Sequence, residues 1–220
     1  MKPNFFLKPA TRLFSVALLL GIAVTFNSCS NVNTEAGETV AEDGDYKVIK
    51  VDDLYSMTLP TYMKKTADLN DEASLQYQNI FKEAYIIVIE EPIADIKSTF
   101  TMLGLYEDSL SALTNYRNIQ MGMIAENINI TKQEETKTML IDTLRAEMVE
   151  MDGTVEGIDE AITYYITFLE GRENVYMIMA WTLKDKKEKL RAEYEKMFAS
   201  FRLLSPEESQ PETLDEAAEG

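Results

Sequence analysis

Two segments in the C-terminal half of the chain constrain the fold most, because their side chains alternate with a period of two. The segments cover residues 162–169 and 175–181, and the Gly-containing stretch 170–173 lies between them. A period of two places successive side chains on opposite faces of a strand, and a short Gly-containing link joins antiparallel neighbours. The sequence therefore predicts a β-hairpin here.

Shorter strand-like segments precede this hairpin. They cover residues 46–51, 54–59, 75–79 and 84–89, and proline follows the second directly. Because short links join them in pairs, a meander of antiparallel strands is the simplest interpretation. Two further strands are predicted at residues 128–135 and 144–155.

Three segments have helical periodicity. The first has Pro92 at its first helical position and ends before Gly104, and the second is expected to be capped by Asp108 or Ser109. The last covers residues 185–201, with its basic and acidic side chains expected to interleave on an outer, solvated face. An antiparallel sheet with helices between and after its strands is an α+β layered domain.

The start of the chain has the three-part layout of an export signal. Lys2, Lys8 and Arg12 precede an uncharged, mostly apolar run at residues 13–26, which is shorter than the roughly 20 residues that span a bilayer. Cys29, the single cysteine of the chain, follows this run closely. A lone cysteine cannot form an internal disulfide, so another role is expected for it.

The segment Phe26-Asn27-Ser28-Cys29 resembles a lipobox, the recognition site of the lipoprotein signal peptidase. The resemblance implies that residues 1–28 are a signal peptide and that Cys29 becomes the first residue and carries acyl chains, which hold the protein on the membrane. The expected location is the outer membrane of a Gram-negative envelope, on either its periplasmic or its outer face. The alternative is an ordinary signal peptide with a chance cysteine near its end.

Acidic residues are concentrated at both ends of the expected mature chain. Residues 30–45 contain five acidic and no basic side chains, and residues 205–220 contain six acidic and no basic ones. Neither segment contains an aromatic residue, and this composition favours disorder. We therefore predict a flexible acidic linker at 29–45, one α+β domain at 46–204 and a disordered acidic tail at 205–220.

Composition also excludes several functions. The formal net charge of −17 disfavours nucleic-acid binding, because phosphate contacts need a basic face. The chain has no histidine, and Cys29 is assigned to the anchor, which excludes Ser-His-Asp and Cys-His catalysis and histidine-based zinc sites. No cofactor and no metal is predicted. The expected partners are the membrane, through the lipid, and an envelope protein whose identity the sequence does not give.

Five features of residues 46–204 are informative together: the opening strand at 46–51, the segment 55–60, the segment 73–77, the hairpin that contains Trp181, and the helix end Ala199-Ser200-Phe201-Arg202. In these features the chain resembles the PsbP-like α/β/α sandwich and the related DcrB-type envelope lipoproteins. The resemblance implies a non-enzymatic binding or assembly module, since members of this superfamily are often extrinsic subunits, assembly factors or partner-binding domains. No catalytic residue is carried over, because no matching motif is present.

Two other functions remain open at this level. A carboxylate-based hydrolase would need Glu90 or Glu91 to meet a distant acid such as Glu147 or Glu150. Ligand or calcium binding would use a face of the sheet or the acidic, Gly-containing segments 43–45 and 151–160. These lack EF-hand spacing, so plain acidic turns are favoured.

The loop that follows Pro60 combines residue types that are typical of protein interfaces. Tyrosine, methionine, lysine and asparagine occur there within a few positions of one another. We predict a contact surface formed by Tyr62, Met63, Lys64, Lys65 and Asn70.

Overall fold

The computed structural model of the protein describes residues 38–205. This part of the chain forms twelve strands, three α-helices and a short 3-10 helix (Lys184–Lys186). The strands are β1 (Glu38–Asp43), β2 (Tyr46–Val51), β3 (Tyr55–Pro60), β4 (Lys64–Lys65), β5 (Leu75–Asn79), β6 (Ala84–Pro92), β7 (Asn129–Gln133), β8 (Lys137–Ile141), β9 (Leu144–Thr154), β10 (Ile162–Glu170), β11 (Asn174–Leu183) and β12 (Arg202–Leu203). The helices are α1 (Ile93–Met102), α2 (Ala112–Asn127) and α3 (Lys187–Ala199).

The strands form two antiparallel sheets. The large sheet has the order β4-β5-β6-β11-β10-β9-β7, and β8 pairs with the first half of β9. The small sheet has the order β1-β2-β3-β12. The predicted α+β class is confirmed. The predicted meander is wrong as a single sheet, because β2 and β3 belong to the small sheet and β5 and β6 to the large one.

The predicted hairpin forms the centre of the large sheet. β10 and β11 pair along their length, from Ile162 opposite Leu183 to Glu170 opposite Val175. β9 and β6 flank this hairpin, and nearly every residue of both strands is buried. The alternation in the sequence therefore separates two apolar faces of one sheet rather than an apolar face from a solvated one.

Each face of the large sheet has its own apolar core. α1 and α2 cover one face, where Tyr116 packs on Phe168 and Phe100 belongs to the same cluster. The small sheet and α3 cover the other face, where Tyr165 packs on Tyr194. Burial of one large apolar side chain contributes about 1.5–3 kcal/mol. Because both faces of the hairpin are covered, nearly all of its apolar side chains contribute to the stability of the fold.

The small sheet begins earlier than the sequence predicts. Residues 29–45 are expected to be a flexible linker, whereas Glu38–Asp43 forms β1 and pairs with β2 along its whole length. Gly44 explains the difference, because its φ of +60° at the first position of the two-residue turn suits the tight link between antiparallel strands. Residues 1–37, with Cys29, and residues 206–220 lie outside the described part of the chain.

Side-chain caps and short edge strands account for the other differences. α2 begins at Ala112 rather than after Asp108 or Ser109, because the Ser111 hydroxyl accepts a hydrogen bond from the Thr114 amide at 3.1 Å. The sequence pattern also did not predict β8 or the two-residue strands β4 and β12. A strand of two residues is too short to show any periodicity.

Candidate functional site: a lysine-lined groove

A groove of about 570 Å³ lies between α3, the turn from β5 to β6, and the start of β2. We call it the lysine groove. The side chains that decide its chemistry are Tyr46, Phe81, Lys82, Lys186, Lys189 and Lys196. Four positive charges therefore meet in one place on a chain whose formal net charge is −17.

Two stripes of basic residues run along α3, and they have different partners. Lys187 and Arg191 face the large sheet, where the Lys187 ammonium lies 2.6 Å from a carboxylate oxygen of Glu150. Lys189 and Lys196 lie on another side of the helix and line the lysine groove together with Lys186. The sequence predicts one interleaved outer face, whereas the structure divides these cations between the sheet and the groove.

The four groove lysines are not neutralised. Within residues 44–205, none of them forms an ion pair with a carboxylate. The Lys82 ammonium lies 3.6 Å from the ring centroid of Tyr62, and the Lys196 ammonium lies 3.3 Å from that of Tyr46. An exposed cation–π contact contributes about 0.5–1 kcal/mol. Such contacts orient the ammonium groups and leave N–H donors available for an anion.

One carboxylate, that of Glu193, also lines the groove. It accepts a hydrogen bond from the Tyr62 hydroxyl. Burial raises the pKa of Tyr62, and this hydrogen bond raises it further, so the phenol stays protonated and remains a donor. Glu193 is thus held by a neutral partner, and positive charge prevails in the groove.

The turn from β5 to β6 presents an apolar group at the groove. Phe81 is 89% exposed and its neighbour Ile80 is 56% exposed. Glu83, in the same turn, has a φ of +54°, a left-handed conformation that costs about 1–2 kcal/mol outside glycine. The Tyr85 hydroxyl donates to the Glu83 carboxylate at 2.9 Å and holds this conformation. The turn therefore keeps Phe81 in solvent beside the lysines.

The residues of the predicted contact surface do not form one surface in the structure. Tyr62 borders the lysine groove through Glu193 and Lys82. Met63 is fully buried in the core under the small sheet, and Asn70 is buried with its backbone bonded to the Gln76 side chain, so neither belongs to a surface.

The other two members of that prediction lie at the edge of the large sheet. Lys64 and Lys65 are exposed on β4 and pair with β5. Polar and apolar residues in a short loop predict an interface by composition alone. Which of them point inward depends on distant strands, and this is why the prediction fails for Met63 and Asn70.

The strand register places far apart the acids that the hydrolase hypothesis needs to pair. Glu91 and Glu147 share the helical face of the large sheet, as their contacts with Gln120 and Thr114 of α2 show. They lie on β6 and β9, which are three strand spacings apart, or about 14 Å. Glycosidase carboxylates need separations of roughly 5–9.5 Å.

On the opposite face, the register separates Glu90 from Glu150. Glu150 lies in the row of Ile86, four residues along β6 from Glu90, and again three strands away. The Ser74 hydroxyl donates to Glu90, whereas Glu150 is paired with α3. The remaining combinations place the two acids on opposite faces of the sheet.

In the described structure, the acidic segment 151–160 does not have the arrangement of a calcium site. The Asp152 carboxylate accepts from the Thr163 hydroxyl at 2.7 Å and lies 3.1 Å from the Lys184 ammonium and 3.4 Å from that of Lys187. Two ammonium groups thus occupy the position a cation would take. Within the described residues, no three acidic side chains gather around a point that could hold a metal ion.

A buried carboxyl lies away from the groove, between β6 and α2. Glu91 is 3% exposed, and its carboxylate accepts from the Gln120 amide at 3.2 Å. Burial raises the pKa of Glu91 to about 7, although the nearby Tyr116 hydroxyl and the hydrogen bond from Gln120 act in the opposite direction. Because Glu91 belongs to the core on the helical face of the sheet, it titrates as part of the fold and not as part of the groove.

Comparisons with known proteins give likenesses of shape. No family model and no curated protein sequence matches the chain. Similar solved structures include PsbP of the cyanobacterium Synechocystis, with 12% identity, a TM-score of 0.44 and coverage of 80% of this chain and 98% of that one. LpqN, involved in cell envelope biogenesis of Mycobacterium tuberculosis, has 10% identity, a TM-score of 0.46 and coverage of 78% and 93%. At these values the likenesses carry no argument about what the chain binds.

None of the helices in residues 38–205 combines the length and the apolar composition that a bilayer crossing requires.

Proposed function

We propose that the protein is a membrane-anchored envelope lipoprotein, held by lipid on Cys29, that acts as a non-enzymatic binding module. The lysine groove is the binding site of this module, and it takes an anionic partner. The observation that carries the proposal is the set of four lysines that form no ion pair within the described residues and line one groove of an otherwise acidic chain. Phe81, exposed at the groove, adds an apolar contact of the kind enriched at interfaces.

The direction of the chain supports a partner other than the anchoring bilayer. Glu38 pairs with Val51, at the end of the small sheet where the chain enters the domain. Tyr46, at the groove, lies at the opposite end of β2, about 17 Å away at 3.3 Å per residue. The groove and the incoming segment are therefore at different ends of the small sheet.

A direct test of the groove uses fluorescein-labelled poly-L-glutamate as the anionic probe and fluorescence anisotropy as the readout. The double variant Lys189→Glu/Lys196→Glu should weaken binding by about tenfold or more, which corresponds to about 1.4 kcal/mol. A matched control is Lys97→Glu/Lys132→Glu, which reverses two exposed lysines elsewhere and should retain binding. An equal loss in both variants would refute a specific groove.

The anchor is tested separately by membrane fractionation. The Cys29→Ser variant should move from the membrane pellet to the soluble fraction after a salt wash, because the acyl chains supply the attachment. Retention of the variant in the pellet would contradict lipidation as the anchor. Protease treatment of intact cells then distinguishes the two faces of the outer membrane, since only a domain on the outer face is degraded.

A further inference from the structure

We propose that the acidic segment 206–220 of this same chain occupies the lysine groove and competes with the external partner. This inference rests on the proposed function of the groove and adds its regulation. The two features concerned are opposite in charge and lie in one polypeptide. The groove would then be available only to a partner that displaces the segment.

The first argument is charge complementarity. Residues 206–220 contain six acidic and no basic side chains: Glu207, Glu208, Glu212, Asp215, Glu216 and Glu219. In the described part of the chain, the groove offers four lysines without an ion pair against the one carboxylate of Glu193, which accepts a hydrogen bond from Tyr62. Leu214 is the one large apolar residue of the segment, and the exposed ring of Phe81 offers it a contact.

The second argument is reach. The Leu204 amide donates to the Leu54 carbonyl at 3.0 Å, so the chain reaches residue 206 near the end of the small sheet where β3 begins. The groove lies at the other end, since Tyr46 pairs with Pro60, the last residue of β3. Six residues of strand separate the two points, or about 20 Å. Fifteen residues can span up to about 50 Å, so the segment can reach the groove with length to spare.

A tethered ligand has an advantage over a free one. Covalent linkage gives a segment that can span the distance an effective concentration in the millimolar range. Weak contacts of single lysines with single carboxylates are then sufficient to keep the segment in the groove, because linkage reduces the entropic cost of bringing the two parts together. An external acidic partner must present more charge, or more apolar contact with Phe81, to replace the segment.

The experiment compares the purified full chain with a variant in which the six acidic residues of the segment are replaced by their amides, Glu→Gln and Asp→Asn. The probes are labelled poly-L-glutamate and a labelled synthetic peptide of residues 206–220. Both probes should bind the neutralised variant about tenfold or more tightly than the unchanged chain. Adding Lys189→Glu/Lys196→Glu to the neutralised variant should abolish this gain.

The outcomes separate this inference from the function on which it rests. If poly-L-glutamate binds through the groove lysines but neutralisation changes nothing, the inference is wrong and the proposed function stands. If neither probe binds either form, both are wrong. If neutralisation increases binding only at protein concentrations where the unchanged chain dimerises, the segment occupies the groove of a second copy, and occupancy within one chain is refuted.

Discussion

The guanidinium of Arg191 donates hydrogen bonds to both carboxylate oxygens of Glu150, a residue 41 positions earlier in the chain. Lys187, one turn before Arg191 on α3, binds the same carboxylate. Together these contacts fix the rotation of α3 on β9, and this rotation leaves Lys189 and Lys196 facing the lysine groove. A buried ionic contact on one side of the helix thus orients the binding residues on another side.

The first prediction concerns this contact. Glu150→Ala should lower the free energy of unfolding by about 3 kcal/mol, because it leaves two cations partly buried without a counter-charge. Glu188→Ala is the matched control, since Glu188 binds the same arginine at 3.2 Å but its side chain is 79% exposed, and it should cost less than about 1 kcal/mol. Urea unfolding of both variants measures the difference. Equal losses of stability in the two variants would show that burial of Glu150 does not strengthen its contribution.

The second prediction concerns acid denaturation. Burial opposes ionisation of Glu150 and Asp152, but hydrogen bonds from Arg191 and Lys187 to Glu150, and from Thr163 and Lys184 to Asp152, lower the pKa of both groups on balance. A lowered folded-state pKa contributes stability that is present above the unfolded-state pKa and is lost as pH falls through the folded-state pKa. Unfolding free energies measured from pH 5 downward should therefore fall less steeply in Glu150→Ala than in the unchanged protein.

Glu91 gives a third prediction of opposite sign. Its pKa is raised to about 7, above its ordinary value of 4.5. The stability that such a group contributes to the protein is fully present below the unfolded-state pKa and is lost as pH rises through the folded-state pKa. Between pH 4.5 and 7 the loss approaches about 3 kcal/mol, at 1.36 kcal/mol for each pKa unit.

Glu91→Gln tests this prediction, because the amide keeps the shape of the side chain and does not ionise. The variant should lack that decline and should be more stable than the unchanged protein at pH 8. The control is Glu126→Gln, an exposed position on α2. If Glu91→Gln and Glu126→Gln show the same pH dependence, the buried carboxyl does not titrate with the fold.

Two glycines give a fourth prediction with a built-in control. A Cβ at Gly153, in β9, would lie 2.4 Å from the Ile128 side chain and 3.2 Å from the Asn129 carbonyl oxygen. Gly153→Ala should therefore destabilise the protein by about 1–3 kcal/mol through overpacking. Gly122 lies inside α2 with no atom within 4 Å of such a Cβ, and Gly122→Ala should stabilise by about 0.5–1 kcal/mol. Thermal melts of the two variants should move in opposite directions.

Local patterns were sufficient to predict most elements of this fold. The segment 75–79 and the hairpin of β10 and β11 were predictable because period and turn residues act within a few positions. The division of the strands into two sheets was not, because it depends on which faces of β3 and β6 meet across the core. β1 was missed since its acidic composition outweighed the hairpin signal of Gly44.

The lysine groove was predictable only in part. Lys186, Lys189 and Lys196 recur at i, i+3 and i+10, which places them on one side of a helix, and Lys187 with Arg191 on another. A helical projection of the last helix would therefore have separated the two stripes. Phe81 and Lys82 lie more than 100 positions earlier, and only the folded core brings their turn beside α3.

The last prediction separates packing from binding with two phenylalanines. Phe201 is fully buried and stacks on Tyr55, with ring centroids 5.0 Å apart, and Tyr176 lies 5.1 Å away. Phe201→Ala should cost about 3–5 kcal/mol, because it removes this packing and leaves a cavity. Phe81 is 89% exposed, so Phe81→Ala should change stability by less than about 0.5 kcal/mol and should weaken the binding of poly-L-glutamate or of an acidic peptide. A large stability loss in Phe81→Ala would mean that its turn is part of the core, and it would remove Phe81 from the groove's binding surface.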